Sequence, residues 1–161
     1  MASQQLTQES LLEWFDYDGK TLSWKDKNRE TKICLNRGGY PMIRFAKNAR
    51  LVHRLVFLMV HGYISKELDH KNGIKTDYSI DNLRTCTRSE NTQNRGAEKC
   101  NTSGYKGVSW DIRNKRWQAR AAKNGKTYSQ VGFKDAEDAD EYVCLLRDLL
   151  HGNFANHRGV Q

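Results

Sequence analysis

From Leu68 to Asn94 the chain runs through a stretch that cannot supply its own hydrophobic core. Asp69 and His70 stand side by side, and Lys71 to Ser79 form a polar turn around Asn72-Gly73. Asn82, Asn91 and Asn94 then follow among charged and hydroxylated residues. So few apolar side chains cannot offset the entropy of ordering the backbone, so the packing must come from the neighbouring segments. Composition agrees: 37% hydrophobic residues and a mean hydropathy of -0.85 over 161 residues are low for one large core and suit two small, sheet-rich units. A single proline, 12 glycines, four Trp and seven Tyr argue for a packed rather than a disordered chain.

A net charge of +8 and a pI near 9.4 make a polyanion the first partner to consider. The distribution says more than the total. Residues 96–134 hold nine Lys/Arg against two acids, and residues 135–161 hold two against six. A basic segment followed by an acidic helix leaves one face cationic. Cysteines at 34, 86, 100 and 144 lack the close pairing of a zinc site or a disulfide framework, so reduced thiols are expected. Met1 to Gln5 show no export-signal pattern, and Leu51 to Val60, interrupted by His53 and Arg54, is too short for a bilayer.

In chain order, Leu11 to Tyr17 lead into an Asp18-Gly19 turn with Thr21 to Trp24 returning as partner strand. A second hairpin is expected at Gly38-Gly39, with Pro41 placing its second strand at a sheet edge. Val52, Leu55, Val56, Met59 and Val60 recur at helical spacing up to Gly62. His53 and His61, on or near that helix, read first as packing residues. Residues 64–95 read as strand, loop, strand and helix, the helix opening on the Thr87-x-x-Glu90 capping box. Residues 96–104 read as a linker. Three strands, Tyr105–Asp111, Arg116–Lys123 and Lys126–Phe133, are expected next, the last two joined by Asn124-Gly125. Alternation puts Val108, Trp110, Trp117, Ala119 and Ala121 on the face covered by a helix that starts after Asp135 and carries Ala136, Ala139, Val143, Leu146 and Leu150. The fold class is therefore α+β.

The polar stretch has the parts for phosphodiester hydrolysis. That reaction needs a nucleophile, charge neutralisation at the phosphate and help for the leaving oxygen; one Mg²⁺-like ion serves the last two when the protein supplies few oxygens. Asp69 offers a charged oxygen, Asn91 an amide oxygen, and a neutral imidazole such as that of His70 takes a proton from water near neutral pH. Taken alone, an Asp-His pair is equally a pair of turn residues on a polar strand. Together, His53-Arg54-Leu55-Val56, Leu68 to Gly73, Asp81-Asn82-Leu83-Arg84 and Thr87 to Arg95 resemble the HNH endonuclease family of phage and intron origin. The resemblance implies a ββα-metal finger with His70 as general base, Asp69 and Asn91 as metal ligands, and Asn82 bracing the loop and the base. It implies one divalent ion, Mg²⁺ or Mn²⁺, and no zinc. Asn94 takes the place of Asn91 if the helix register differs.

Tyr105 to Trp110, Lys115 to Arg120, Val131-Gly132-Phe133 and Asp135 to Ala139 look like an AP2-type DNA-binding domain. By that resemblance the sheet enters the major groove of double-stranded DNA. Lys106, Ser109, Arg120, Thr127 and Ser129 fall at groove-facing positions, with Arg113, Lys115, Arg116, Lys123 and Lys126 around them. Ser109, Thr127 and Ser129 stand where plant members carry longer side chains, which shifts the expectation from base reading toward phosphate contacts. The implied organisation is a nuclease region at 1–95, a linker at 96–104, an AP2-like domain at 105–154 and a tail at 155–161, as in a homing-type endonuclease. Such an enzyme is expected in the cytoplasm of a bacterial or phage-infected cell, away from membranes and as a monomer or a dimer. The rival readings are a regulator that binds DNA without cutting it, and an RNA-binding or structural basic protein.

Overall fold

In the computed structural model the described residues are 6–45, 47–97 and 100–158. Met1 to Gln5, Glu98 and Lys99 of the expected linker, and residues 159–161 of the expected tail lie outside them. The protein is α+β, with small antiparallel sheets and four helices. It divides into two compact units, 1–85 and 86–161.

Unit 1 opens with helix α1, Gln8–Trp14, where the sequence had suggested an extended approach to the first turn. The reason is local. Thr7 and Ser10 exchange side-chain and backbone hydrogen bonds in a reciprocal cap, and Gln8 Nε2 donates to Met59 O at 2.8 Å. The fully buried Leu11 contributes about 2 kcal/mol, which matters for a helix too short to stand alone. Strands β1 (Phe15–Tyr17) and β2 (Leu22–Trp24) then pair about Asp18-Gly19, with Phe15 stacked on Trp24 at 4.1 Å.

Strands β3 (Ile33–Leu35), β4 (Pro41–Phe45) and β5 (Asn48–Leu51) form a sheet in that order, so β4 is central rather than an edge. Pro41 is tolerated because it is the first residue of β4. It pairs with Leu35 on one side only, since β5 reaches no further than Met42. Helix α2, Val52–His61, follows directly and ends at Gly62 with φ +76°. Seven of the eight positions from Val52 to Met59, all but Arg54, are buried, which makes α2 the centre of this unit's core. Arg54, half-buried, donates from Nη2 to Ser65 O at 2.9 Å and fixes the return toward strand β6, Leu68–His70. A 3₁₀ turn at Ile80–Asn82 precedes strand β7, Leu83–Thr85, which pairs antiparallel with β6.

Unit 2 begins with helix α3, Arg88–Gln93, capped as expected by Thr87 and Glu90. The division at 85/86 falls ahead of the expected linker because the end of α3 is tied into the second unit. Lys106 Nζ donates to Gln93 O at 2.8 Å and Asn156 Nδ2 donates to Asn94 O. Strands β8 (Val108–Asp111), β9 (Arg116–Lys123) and β10 (Lys126–Phe133) form a sheet of order β10-β9-β8. Asn124 and Gly125 both have positive φ, the geometry an Asn-Gly hairpin requires. Helix α4, Ala136–His151, packs Ala139 and Val143 on Val108, Ala119 and Ala121. Trp110 departs from expectation: on the edge strand it is 48% exposed and meets only the edge of Trp117, 5.2 Å away.

β8 starts at Val108 rather than Tyr105 because Gly107, with φ +77°, turns the chain there while its carbonyl accepts from Arg120 N at 2.7 Å. A Cβ at that position would lie 2.5 Å from Arg120 O. Gly107→Ala is therefore expected to destabilise unit 2 by about 2 kcal/mol or more, combining positive-φ strain with the clash. Urea unfolding followed by tryptophan fluorescence measures it; an unchanged midpoint would mean the turn yields at little cost.

Candidate functional site

β6 carries Asp69 and His70 at its centre and end, both only 5% exposed. Antiparallel register sets Arg84 of β7 directly opposite Asp69, and directly opposed residues share a face. Arg84 reaches the same carboxylate oxygen, Oδ2, from Nε at 2.8 Å and Nη2 at 2.7 Å. A carboxylate this deeply placed needs such a partner, because desolvation without one costs several kcal/mol. Arg84 lay in the recognised motif without a role of its own; the pairing gives it one.

His70 belongs to an aromatic group. Its ring lies 5.0 Å from that of His53 of α2, nearly perpendicular, and 6.0 Å from Tyr40, which itself sits 5.5 Å from His53. Burial holds the His70 pKa below the usual imidazole value, an effect that Asp69 and Asp77 oppose and Lys75 reinforces. His53 is held lower still, at about 4, by burial first and then by His70 and Arg54. Tyr40 gave no sequence signal, since only the fold brings it to β6.

The loop between β6 and β7 is shaped by Asn82. Its Oδ1 accepts from Asn72 N at 2.9 Å, its Nδ2 donates to Asp77 O at 2.8 Å, and its carbonyl accepts from Lys71 N at 2.8 Å. Asp77 is a second node, missed in the sequence. It accepts from Asn72 Nδ2 and from Ser79 Oγ, both at 2.6 Å, and these bonds, Ser79's foremost, lower its pKa. The Asp-x-Ser spacing of a side-chain turn was the available signal. Gly73, with φ +67°, donates to His70 O at 2.7 Å and closes the turn.

Asn91 lies on α3 in unit 2 and is half-buried, its N–H donating to Thr87 O. Asn94, its alternative, is 5% exposed, with its carbonyl accepting from Asn156 Nδ2 and from Arg158 Nη2 and its own Oδ1 3.4 Å from Asn156 Nδ2. One carboxylate and one amide oxygen form a hard donor set, which fits a Mg²⁺-like ion and not a thiophilic one. Among the described residues, no three His, Cys, Asp or Glu side chains gather into a metal-holding group.

On the sheet of unit 2, Ser109, Arg113, Arg116, Arg120 and Lys126 are exposed and Lys123 is half-buried. Pairing puts Ser109 with Gln118 and Arg120 with Ser129, on the face opposite Ala119 and Ala121. Lys123 and Lys126 pair with each other and share the parity of Ala119 and Ala121, so they mark the hairpin end of the α4 side. Lys106 departs from its expected groove-facing position. Its ammonium turns inward to Gln93 O and Asn156 O, at 2.8 and 3.1 Å, because Gly107 redirects the chain before β8 begins.

The neutral burial of His53 has a measurable consequence. Its folded-state pKa lies below the unfolded value, so below pH 6.5 the unfolded chain takes up a proton that the folded one refuses. Stability is expected to fall as pH drops from 6.5 toward 4, by about 3 kcal/mol from this group. Urea titrations at several pH values test this against His53→Phe, which should flatten the dependence while leaving the share due to His70. An unaltered slope would remove His53 from the account.

Residues 50–93, which hold α2, β6, β7 and α3, match the HNH endonuclease family. Protein 3.8 of Escherichia phage T7 is 32% identical over 108 residues, covering 66% of this chain and 88% of that protein. A protein of Acanthamoeba polyphaga mimivirus, described as an uncharacterized HNH endonuclease, is 29% identical over 127 residues, covering 77% of this chain and 65% of its own length. No solved structure matches. Among the described residues no helix is long and apolar enough to cross a membrane. With the Asp69-His70 strand, the Asn82-held loop and the capped α3 all inside the matched segment, residues 50–93 are a domain of the HNH endonuclease family, and the protein is an endonuclease of DNA.

Proposed function

We propose that the protein is a metal-dependent endonuclease of double-stranded DNA in which His70 is the general base. The observation that carries this reading is the buried pair on β6: a carboxylate oriented by Arg84 beside an imidazole packed on a neutral ring. His70 takes a proton from a water whose oxygen bonds to phosphorus as the bond to the leaving oxygen breaks. Burial, which disfavours the imidazolium, keeps a proton acceptor available near neutral pH. His53 and Tyr40 limit the tilt of that ring.

Asp69 and Asn91 would hold the divalent ion, Mg²⁺ or Mn²⁺, which neutralises charge on the phosphate and assists the leaving oxygen. Asn91 is favoured over Asn94 because α3 starts at the Thr87 cap on which the expected helix register rests. Asn82 fixes the loop from which Lys71 and Asn72 approach the base.

The three-stranded sheet backed by α4 serves as an AP2-like reader, and the nuclease function stays with residues 1–95, as in a homing-type enzyme. Ser109, Arg113, Arg116 and Arg120 meet the DNA, with Lys123 and Lys126 at the hairpin end. This is supported by the exposure of the arginines and by the small side chains beside them, which favour phosphate contacts over base reading.

Conversion of supercoiled DNA carrying a cleavable site tests the reading. Wild-type protein with Mg²⁺ should give open circles or linear product, and EDTA should stop it. His70→Ala should cut at least about 100-fold more slowly with unchanged DNA affinity. Cutting by His70→Ala at the wild-type rate would overturn the base assignment. Tight binding without cleavage of a bound site would replace the enzyme with a regulator.

A further inference from the structure

β9 is longer than its neighbour on one side. β8 pairs only with Arg116 to Ala119, so residues 120–123 of β9 have no strand beside them there. Arg120 N is satisfied by Gly107 O, and Ala122 O accepts from His151 Nε2 at 2.9 Å. Where a fourth strand or a longer β8 would lie, there is instead a cavity of ≈ 680 Å³, walled by α3 on one side and by the β9 edge on the other, all within unit 2. A volume of this order is that of a ligand site rather than a packing fault.

Its lining has one sign of charge. Arg88, Arg95, Arg120, Lys123, Lys106 and Arg147 contribute, and no carboxylate does among the described residues. Two of these cations form the floor. Arg147, 1% exposed, donates to Asn156 O at 2.7 Å, and Lys106 donates to Gln93 O and Asn156 O. Burial, then Arg147 and Arg158, lower the Lys106 pKa to about 8, so the interior carries more positive charge than it compensates. Arg88 and Arg95 stand exposed on the α3 wall, and Arg120 is exposed on the other. Asn91 is not part of the lining.

We propose that this groove binds one sugar–phosphate strand of the DNA substrate, separately from the outer face of the sheet. The proposal rests on the DNA-cleaving reading but not on the sheet's role as reader. A polymer is favoured over a single anion by the dimensions. From Arg120 to Lys123 the β9 edge runs about 10 Å, and one strand of a duplex places a phosphate every ~3.4 Å of axis. Arg88, Arg95 and Arg120, all exposed, and the half-buried Lys123 bring cations to both walls. Ser89 and Thr92 add hydroxyl groups to the lining between Arg88 and Arg95.

Equilibrium binding of a duplex in EDTA, across a range of salt, tests the groove. Losing two phosphate contacts should lower the slope of log K against log salt by about 2. Arg88→Gln/Arg95→Gln is expected to show that loss, equally on target and unrelated DNA, with an unchanged melting temperature. The same slope as wild type would overturn the groove. Arg88→Lys/Arg95→Lys should keep the slope; a loss shared by the lysine variant would be a folding defect and would also overturn it. Arg113→Gln/Arg116→Gln is the parallel arm for the sheet. A loss there alone leaves the reader and removes the groove, and a loss in the groove variant alone does the reverse. Inorganic tripolyphosphate should compete no better than chloride at equal ionic strength. Saturable displacement of DNA by it would assign the groove to a free polyphosphate instead.

Discussion

Everything in the catalytic half depends on keeping a carboxylate and an imidazole buried side by side on a strand of three residues. Neither group stays there unaided, because each loses most of its hydration. The fold answers with two different devices. Asp69 receives a guanidinium from the opposite strand, so its charge is matched where it lies. His70 receives a second imidazole, itself held neutral, and a tyrosine ring, so that it packs like an apolar side chain and stays unprotonated near neutral pH. One residue is oriented by charge and its neighbour by shape, and the proposed pairing of a base with a metal ligand draws on that difference. The scaffold exists to support it: α2 brings His53 to the site through its buried face, and Arg54, the next residue, ties down the chain that returns as β6.

The second unit solves a different problem. It collects positive charge on a small sheet whose strands carry a single acid, Asp111, and much of its interior is polar as well. Arg147, Lys106 and Asn156 sit where an ordinary small domain would place leucines, and they bind carbonyls of α3 and of the chain after α4. The acidic residues of α4 stay on its own surface, apart from Asp140, which pairs with Arg147 at 3.6 Å. The cationic character of one side is therefore built into the interior as well as displayed outside. A field of this kind draws a polyanion before any base is read.

Much of this was legible in the chain, and the exceptions share a cause. Helix α2 with Gly62, the Thr87 cap, the β6–loop–β7 succession and the Asn124-Gly125 hairpin rest on neighbours close in sequence, and each forms as its local pattern dictates. Asp69, His70, Asn82 and Asn91 stood out through the resemblance of their order and spacing to the HNH endonuclease family, and their roles are proposed. What escaped depends on distant partners. α1 is capped locally by Thr7 but anchored by Met59, 51 residues on, and Pro41 sits in a central strand because β5, which no sequence pattern marked, stops one residue short of it. Trp110 is exposed because β8 is the short edge strand. Lys106 turns inward because its partners, Gln93 and Asn156, are 13 and 50 residues away. Buried polar networks carry no periodicity, so nothing in the composition announces them.

The division of labour at β6 is best tested by metal binding rather than by cleavage. Mn²⁺ bound to the protein–DNA complex can be followed by electron paramagnetic resonance in wild type, Asp69→Ala and His70→Ala. The account predicts bound Mn²⁺ in wild type and in His70→Ala, and its loss in Asp69→Ala. Retention in Asp69→Ala, or loss in His70→Ala, would contradict the assignment of ligand and base on which the rest of the site is built.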